Sequence, residues 1–112
     1  MKVDMVNDPP HYKLAEGIEC IDVVSMLPFE LGNAIKYRWR CDFKGNKRED
    51  LEKSLWYLKR YREHDPQTLM TEDLKTKVEK IQAEDPHLAS FIRHSLKGQL
   101  EEAIGMLEDM IW

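Results

Sequence analysis

Apolar residues recur at helical spacing along most of the chain after residue 17. In the clearest stretch, Leu31, Ile35 and Trp39 lie four positions apart, so a helix places all three on one side, where they can be buried. No stretch alternates apolar and polar residues as a half-buried strand does, and the sequence contains no repeat. The pattern predicts an all-α fold, a small helical bundle of five or so helices.

Start and stop signals delimit the predicted helices. Pro28 interrupts the first periodic stretch and suits the beginning of the next helix, and the Gly45-Asn46 pair marks a turn. Thr71 and Asp85 have side chains that can each cap a helix. The predicted helices cover residues 18–27, 29–41 and 48–63, a stretch after Thr71, one from Asp85 to Gly98, and a last one that carries Leu100 and ends at Trp112.

The first 16 residues lack helical periodicity and contain the segment Asp8-Pro9-Pro10-His11-Tyr12. Each proline fixes its own φ and biases the preceding residue away from helix, so we expect an extended segment that lies across the domain. His11 and Tyr12 would then occupy a fixed place, where they either pack against the bundle or contact a ligand.

Charge divides the chain near residue 64. The segment from Lys36 to Arg62 has ten Lys or Arg and four Asp or Glu, whereas the segment from Asp65 onward has five basic and ten acidic residues. We therefore predict one domain over residues 1–64 and an acidic helical extension over residues 65–112. The apolar stripe of the last helix reaches Trp112, which favours packing or homo-oligomer formation through the extension.

Composition excludes several classes of protein. Charged residues make up 34% of the chain and hydrophobic residues 42%, as in soluble globular proteins. No apolar run approaches the roughly 18 residues of a membrane helix, and the N-terminus has no apolar signal region, so we expect a cytoplasmic protein without a membrane partner. Cys20 and Cys41 are expected to be reduced thiols. The four histidines are scattered, so no structural zinc site is predicted.

A polar stripe runs along the second predicted helix. Asn33, Lys36, Tyr37 and Arg40 lie at i, i+3, i+4 and i+7 and supply one amide, one phenol and two cations. This set suits an anionic ligand that carries a ring, such as a nucleotide, although the same residues could simply solvate a helix. If the stripe is a binding site, Lys36→Ala and Arg40→Ala should weaken binding with little loss of stability.

The third predicted helix repeats this arrangement with Lys53 and Tyr57, and Lys44 and Lys47 bracket the loop between the two helices. Two antiparallel helices joined by a short loop would bring these polar edges to one groove. Trp56 could stack on a base or fill the core. The loop has one glycine and no GxxxxGK[ST] sequence, so nucleotide binding here would not use the Walker geometry.

Four sequence blocks resemble a small phage domain family of unknown function. Its patterns are roughly P-x-H-Y, I-E-x-I-(D/E)-V, G-N-x-x-K-Y-x-x-R and D-L-x-K-A-x-(W/F)-Y, and they occur here in order over residues 8–64, with Ser54 in place of the alanine. The family includes the P-loop-free nucleotide kinase of podophages. The resemblance implies an all-helical protein of the infected bacterial host's cytoplasm that binds a nucleotide, and phosphoryl transfer to a deoxynucleoside monophosphate. The acidic extension lies outside it.

The candidate catalytic residues are His11, Glu19 and Asp22. His11 could exchange a proton near neutral pH, and Glu19 or Asp22 could hold a metal such as Mg²⁺ or orient a hydroxyl group. Each also has a structural interpretation, because His11 could only pack and the two carboxylates could only pair with Lys36 or Arg40. Beyond the nucleotide, and Mg²⁺ for phosphoryl transfer, no cofactor is predicted.

Three functions are consistent with the sequence, and whether the protein is an enzyme stays open. The first is a phage nucleotide kinase. The second is an anti-defence protein that sequesters a nucleotide or cyclic nucleotide signal of bacterial immunity without turnover. The third, a MazG-type nucleotide pyrophosphohydrolase, is disfavoured because the Glu-x-x-Asp of Glu19 and Asp22 does not follow a Glu-x-x-Glu on an earlier helix. Net acidity argues against nucleic acid as a partner.

Overall fold

A computed structural model of the protein describes residues 17–43, 45–64 and 68–112. The proline-containing N-terminal segment, with His11 and Tyr12, and also Lys44 lie outside the described residues. All regular structure within these ranges is helical, which confirms the predicted all-α fold. The helices are α1 (Cys20–Val24), α2 (Phe29–Arg40), α3 (Lys47–Arg62), α4 (Glu72–Glu84), α5 (Pro86–Leu96) and α6 (Leu100–Ile111).

Side-chain caps begin several of these helices at the predicted residues. Thr71 Oγ1 accepts a hydrogen bond from Leu74 N at 3.2 Å, and Asp85 Oδ1 accepts one from Leu88 N at 3.1 Å. Gly98 follows the end of α5 and has a φ of 78°, a conformation that favours glycine. Local signals in the sequence are therefore enough to set these boundaries.

The core joins helices from both parts of the chain. α2 packs most extensively on α3, α3 also contacts α6, and α4 packs on α5. Trp39, Leu58, Phe91 and Leu107 are fully buried in one hydrophobic cluster. The helices on either side of residue 64 share this core. The domain boundary predicted there stays a prediction.

Both cysteines are buried and unbridged. Burial is the main cause that raises the pKa of the Cys20 thiol to about 12 and that of Cys41 to about 11. Both thiols are therefore protonated near neutral pH, and the prediction of two reduced cysteines is confirmed. Among the described helices, none has the length and apolar character needed to span a membrane.

Close packing against α1 explains why α2 contains a glycine, Gly32, in its interior. It is buried against the turn that follows α1, where an added Cβ would lie 3.2 Å from Val24 O. Glycine costs about 1 kcal/mol in a helix relative to alanine, and the close approach of the Val24 carbonyl supplies the packing reason for accepting that cost.

Gly32→Val should therefore lower the free energy of unfolding by about 2 kcal/mol, because the branched side chain must push α1 away from α2. Gly105 in α6 provides the matched control, since no atom lies within 4 Å of an added Cβ there. Gly105→Ala should raise the free energy of unfolding by about 0.5–1 kcal/mol. Urea denaturation measures both, and a Gly32→Val variant as stable as the wild type would refute the close contact.

A candidate cationic and aromatic site on α2 and α3

A buried polar contact sets the spacing between α2 and α3. Ser54 is completely buried, and its hydroxyl donates a hydrogen bond to Ala34 O at 2.6 Å. Small residues at both positions allow the two helices to approach closely. Their polar edges consequently lie side by side. This is the arrangement expected of two antiparallel helices joined by a short loop.

Five predicted site residues meet along this edge, and we call them the α2–α3 cluster: Lys36, Tyr37, Arg40, Lys53 and Tyr57. The rings of Tyr37 and Tyr57 stack with centroids 6.0 Å apart and an interplanar angle of 8°. Lys36 Nζ lies 4.6 Å from the centroid of the Tyr37 ring, and Lys53 Nζ lies 5.4 Å from it. Ammonium groups from two helices therefore converge on one aromatic stack.

A buried carboxylate lies beside these cations. Asp50 is only 4% exposed, and its Oδ2 is 3.6 Å from Arg40 Nε. Burial raises the pKa of Asp50, and the positive charges of Arg40 and Lys53 counteract part of that effect. Burial also lowers the pKa of Lys36, and nearby Arg40 and Lys53 lower it further. Lys53 Nζ also lies 3.7 Å from Glu49 Oε2, so three cations face two carboxylates here, an excess of positive charge that a bound anion would neutralise.

A groove of about 410 Å³ opens next to the cluster, between α1 and α2. Asn33 and Lys36 supply its polar groups, while Phe29, Val24 and Ile21 supply apolar walls. Asn33 Nδ2 donates a hydrogen bond to Phe29 O at 2.9 Å, which fixes the orientation of the amide. The groove has the size of a small-molecule site and places Asn33 and Lys36 in its lining.

Sequence reasoning left open whether Trp56 stacks on a base or fills the core, and it did not consider Phe29; the structure places both on the surface. Phe29 is 73% exposed and Trp56 is 58% exposed. Both contact Tyr57 edge to face, with ring centroids 6.0 Å and 5.0 Å from it. Arg60 Cζ lies 5.6 Å from the Trp56 ring. Helical periodicity could have indicated that Trp56 lies off the Leu51–Leu58 apolar stripe, but nothing in the sequence marks Phe29 as exposed.

Other predicted site residues lie elsewhere. Lys47 Nζ is 3.7 Å from Asp42 Oδ1, and its part in a site stays a prediction. Glu19 and Asp22 form a capping box at the start of α1, in which Glu19 N donates to Asp22 Oδ2 at 2.9 Å. Within residues 17–43, 45–64 and 68–112, no three His, Cys, Asp or Glu side chains are grouped so as to hold a metal ion.

The Arg40–Asp50 pair changes the expectation for Arg40. Arg40→Ala should lower the free energy of unfolding by about 1–3 kcal/mol, because the Asp50 carboxylate would remain buried without this partner. Adding Asp50→Asn to that variant should restore most of the stability, since a neutral amide costs less to bury. Chemical denaturation of the single and double variants at pH 7 measures the difference. An Arg40→Ala variant of wild-type stability would show that the pair is not needed.

The fold and the cluster define a class of protein: a small helical protein with a cationic and aromatic surface on two packed helices. Residues 6–59, just under half of the chain, match the model of a family described as a protein of unknown function, DUF3310. This range includes every member of the α2–α3 cluster. Comparisons with curated proteins and with solved structures returned no significant match. The match bears out the resemblance to a family of unknown function over this part of the chain, and its description names no kinase and assigns no activity.

Proposed function

We propose that the protein binds a nucleotide at the α2–α3 cluster. The observation that carries this proposal is the convergence of Lys36 and Lys53, from different helices, on the stacked Tyr37 and Tyr57 rings. Ammonium groups bind phosphate oxygens as compact point charges. Two of them beside one ring supply two positive charges for the phosphate groups of a nucleotide.

The groove beside the cluster suits the rest of a nucleotide. Its volume of about 410 Å³ falls in the range of small-molecule sites. The Phe29 ring in its wall offers a face for a nucleobase, and Asn33 offers amide groups for hydrogen bonds to a base or sugar. Lys36 lines the groove and also belongs to the cluster, so one ligand can contact both.

The position of the acidic residues favours binding without turnover. Phosphoryl transfer requires groups that align the nucleophile and hold Mg²⁺. Glu19 and Asp22 are engaged in the capping box of α1, and Asp50 is paired with Arg40. We therefore rank sequestration of a nucleotide above kinase activity. The MazG-type reaction remains disfavoured by the order of the acidic pairs.

Thermal denaturation with a panel of ligands tests the proposal. A nucleoside monophosphate, a nucleoside triphosphate, a cyclic mononucleotide or a cyclic dinucleotide should raise Tm, because a ligand that binds the folded state stabilises it. Inorganic phosphate and the matching nucleosides serve as controls for the two halves of the ligand. If no nucleotide raises Tm, the proposal is wrong.

Recovery of the bound nucleotide separates sequestration from catalysis. The protein is incubated with the ligand, Mg²⁺ and a nucleoside triphosphate as phosphoryl donor and then denatured, and the released compounds are separated by chromatography. An unchanged nucleotide supports sequestration. A gained phosphate supports the kinase alternative, and a lost pyrophosphate supports the hydrolase.

Sedimentation of the free and bound protein tests the expected homo-oligomer, which remains a proposal.

A further inference from the structure

The aromatic surface extends beyond what a single nucleotide can cover. Phe29 and Trp56 both contact Tyr57 edge to face, and each presents more than half of its surface to solvent. Large aromatic side chains exposed to this extent are uncommon unless they contact a partner. One base can stack on one of these rings, which leaves the other ring without a role.

Each exposed ring belongs to its own depression with its own cation. Phe29 lines the groove of about 410 Å³ together with Lys36, and Trp56 lines a smaller depression of about 150 Å³ with Lys59 and Arg60. The smaller depression cannot enclose a base, but a stacking platform requires only one open face. Two platforms with cations beside each of them match a ligand in which bases alternate with phosphates.

An ion pair positions Arg60 beside Trp56, the second of the two aromatic platforms. Arg60 Nε lies 3.2 Å from Glu30 Oε2, which keeps the guanidinium near the Trp56 ring. The same carboxylate lies 2.9 Å from His64 Nδ1. Glu63 adds one negative charge to the lining, yet the segment from Lys36 to Arg62 carries ten basic and four acidic residues. Lys59 Nζ also lies 4.0 Å from Glu108 Oε2. The basic excess of the segment from Lys36 to Arg62 complements a polyanion although the chain as a whole is acidic.

We infer that the ligand of this surface is a single-stranded oligonucleotide of at least two nucleotides, with bases stacked on Phe29 and Trp56 and phosphates at Lys36, Lys53 and Arg60. Proteins that bind single strands combine such aromatic platforms with a cationic path for the backbone. This inference rests on the proposed nucleotide site and extends it. It also reverses the expectation, drawn from net acidity, that nucleic acid is not a partner.

The test compares ligands of increasing length by isothermal titration calorimetry. Thymidine monophosphate, its dinucleotide and oligomers of four and eight nucleotides are titrated into the protein, with uridine RNA of the same lengths as a second series. Affinity should rise about tenfold or more from one nucleotide to two, since a second stacked base contributes a factor of that order. The two series show whether the strand is DNA or RNA.

Substitutions of the platform residues give the second arm. Phe29→Ala and Trp56→Ala should each cancel the gain from the second nucleotide, and Trp56→Phe should retain part of it. Trp112→Ala is the matched control, because Trp112 is 79% exposed but lines neither depression. It should leave every affinity unchanged.

Different results overturn different statements. If affinity does not increase with length, or if Trp112→Ala acts like Trp56→Ala, the oligonucleotide inference is wrong while the nucleotide site stands. If neither mononucleotides nor oligomers bind, the proposed function fails as well. If Trp56→Ala changes only the sedimentation coefficient, the surface is a contact between two copies of the chain and the inference is overturned.

Discussion

The Trp39→Ala variant should lose about 3–5 kcal/mol of unfolding free energy, the largest stability effect expected for a single substitution here. Trp39 is completely buried in the shared hydrophobic cluster, and it lies on the α2 side that Leu31 and Ile35 also occupy. Removing the indole deletes its dispersion contacts and leaves a cavity that the surrounding helices can close only in part. Since small domains have a total stability of about 5–15 kcal/mol, much of the fold would be lost.

Trp56→Ala is the control for Trp39→Ala, because Trp56 is the same residue type on the neighbouring helix. Trp56→Ala should change the unfolding free energy by about 0.5 kcal/mol or less, as expected for an exposed position. Urea denaturation followed by circular dichroism gives both values without relying on tryptophan fluorescence. Equal losses in the two variants would contradict the assignment of Trp39 to the core and Trp56 to the surface.

Replacing Lys36 and Lys53 together by methionine should weaken nucleotide binding about 100-fold. A hydrogen bond to a charged group contributes about 1.5–3 kcal/mol, and 1.4 kcal/mol is a factor of ten, so two such contacts account for that loss. Methionine keeps an unbranched apolar chain near the Tyr37 ring and removes the charge. Calorimetric titration with the nucleotide that raises Tm most measures the change.

The double variant should keep its stability. The Lys53–Glu49 ion pair is exposed on both sides and contributes less than about 1 kcal/mol, and loss of the Lys36 charge relieves its repulsion with Arg40. The buried Asp50 carboxylate loses two nearby positive charges but keeps Arg40, 3.6 Å away, as its partner. Lys75→Met with Lys80→Met in α4 is the control, since both side chains are exposed and remote from the cluster in sequence. A drop in Tm without a binding defect would show that Lys36 and Lys53 are structural.

Much of the secondary structure could be read from short stretches of sequence. Thr71 and Asp85 begin helices where their side chains can cap free N–H groups, and Gly98 ends one because it adopts a positive φ at little cost. α1 is shorter than the periodicity of residues 18–27 predicted, since it spans Cys20–Val24. Periodic spacing of apolar residues indicates which side of a helix can be buried. It is less informative about the residues at which the helical hydrogen bonds begin and end.

The candidate site was less accessible to sequence reasoning. The stripe of Lys36, Tyr37 and Arg40 follows directly from helical spacing, because these residues belong to one element. Asp50 is a charged residue near the start of α3, yet it is buried, since it lies where α3 meets Arg40 of α2. Spacing within one helix contains no information about the groups on its neighbour.

The sequence by itself determined an all-helical chain, the buried side of α2 and the polar residues available for a site. The tertiary structure decided which of those residues meet: it stacks Tyr37 on Tyr57, takes Lys47 to Asp42, and leaves Phe29 and Trp56 exposed. The physical reason is that a helix forms from local hydrogen bonds and side-chain periodicity, whereas a site between helices depends on their approach. Here Gly32 and Ser54, two small residues at helix contacts, set that approach.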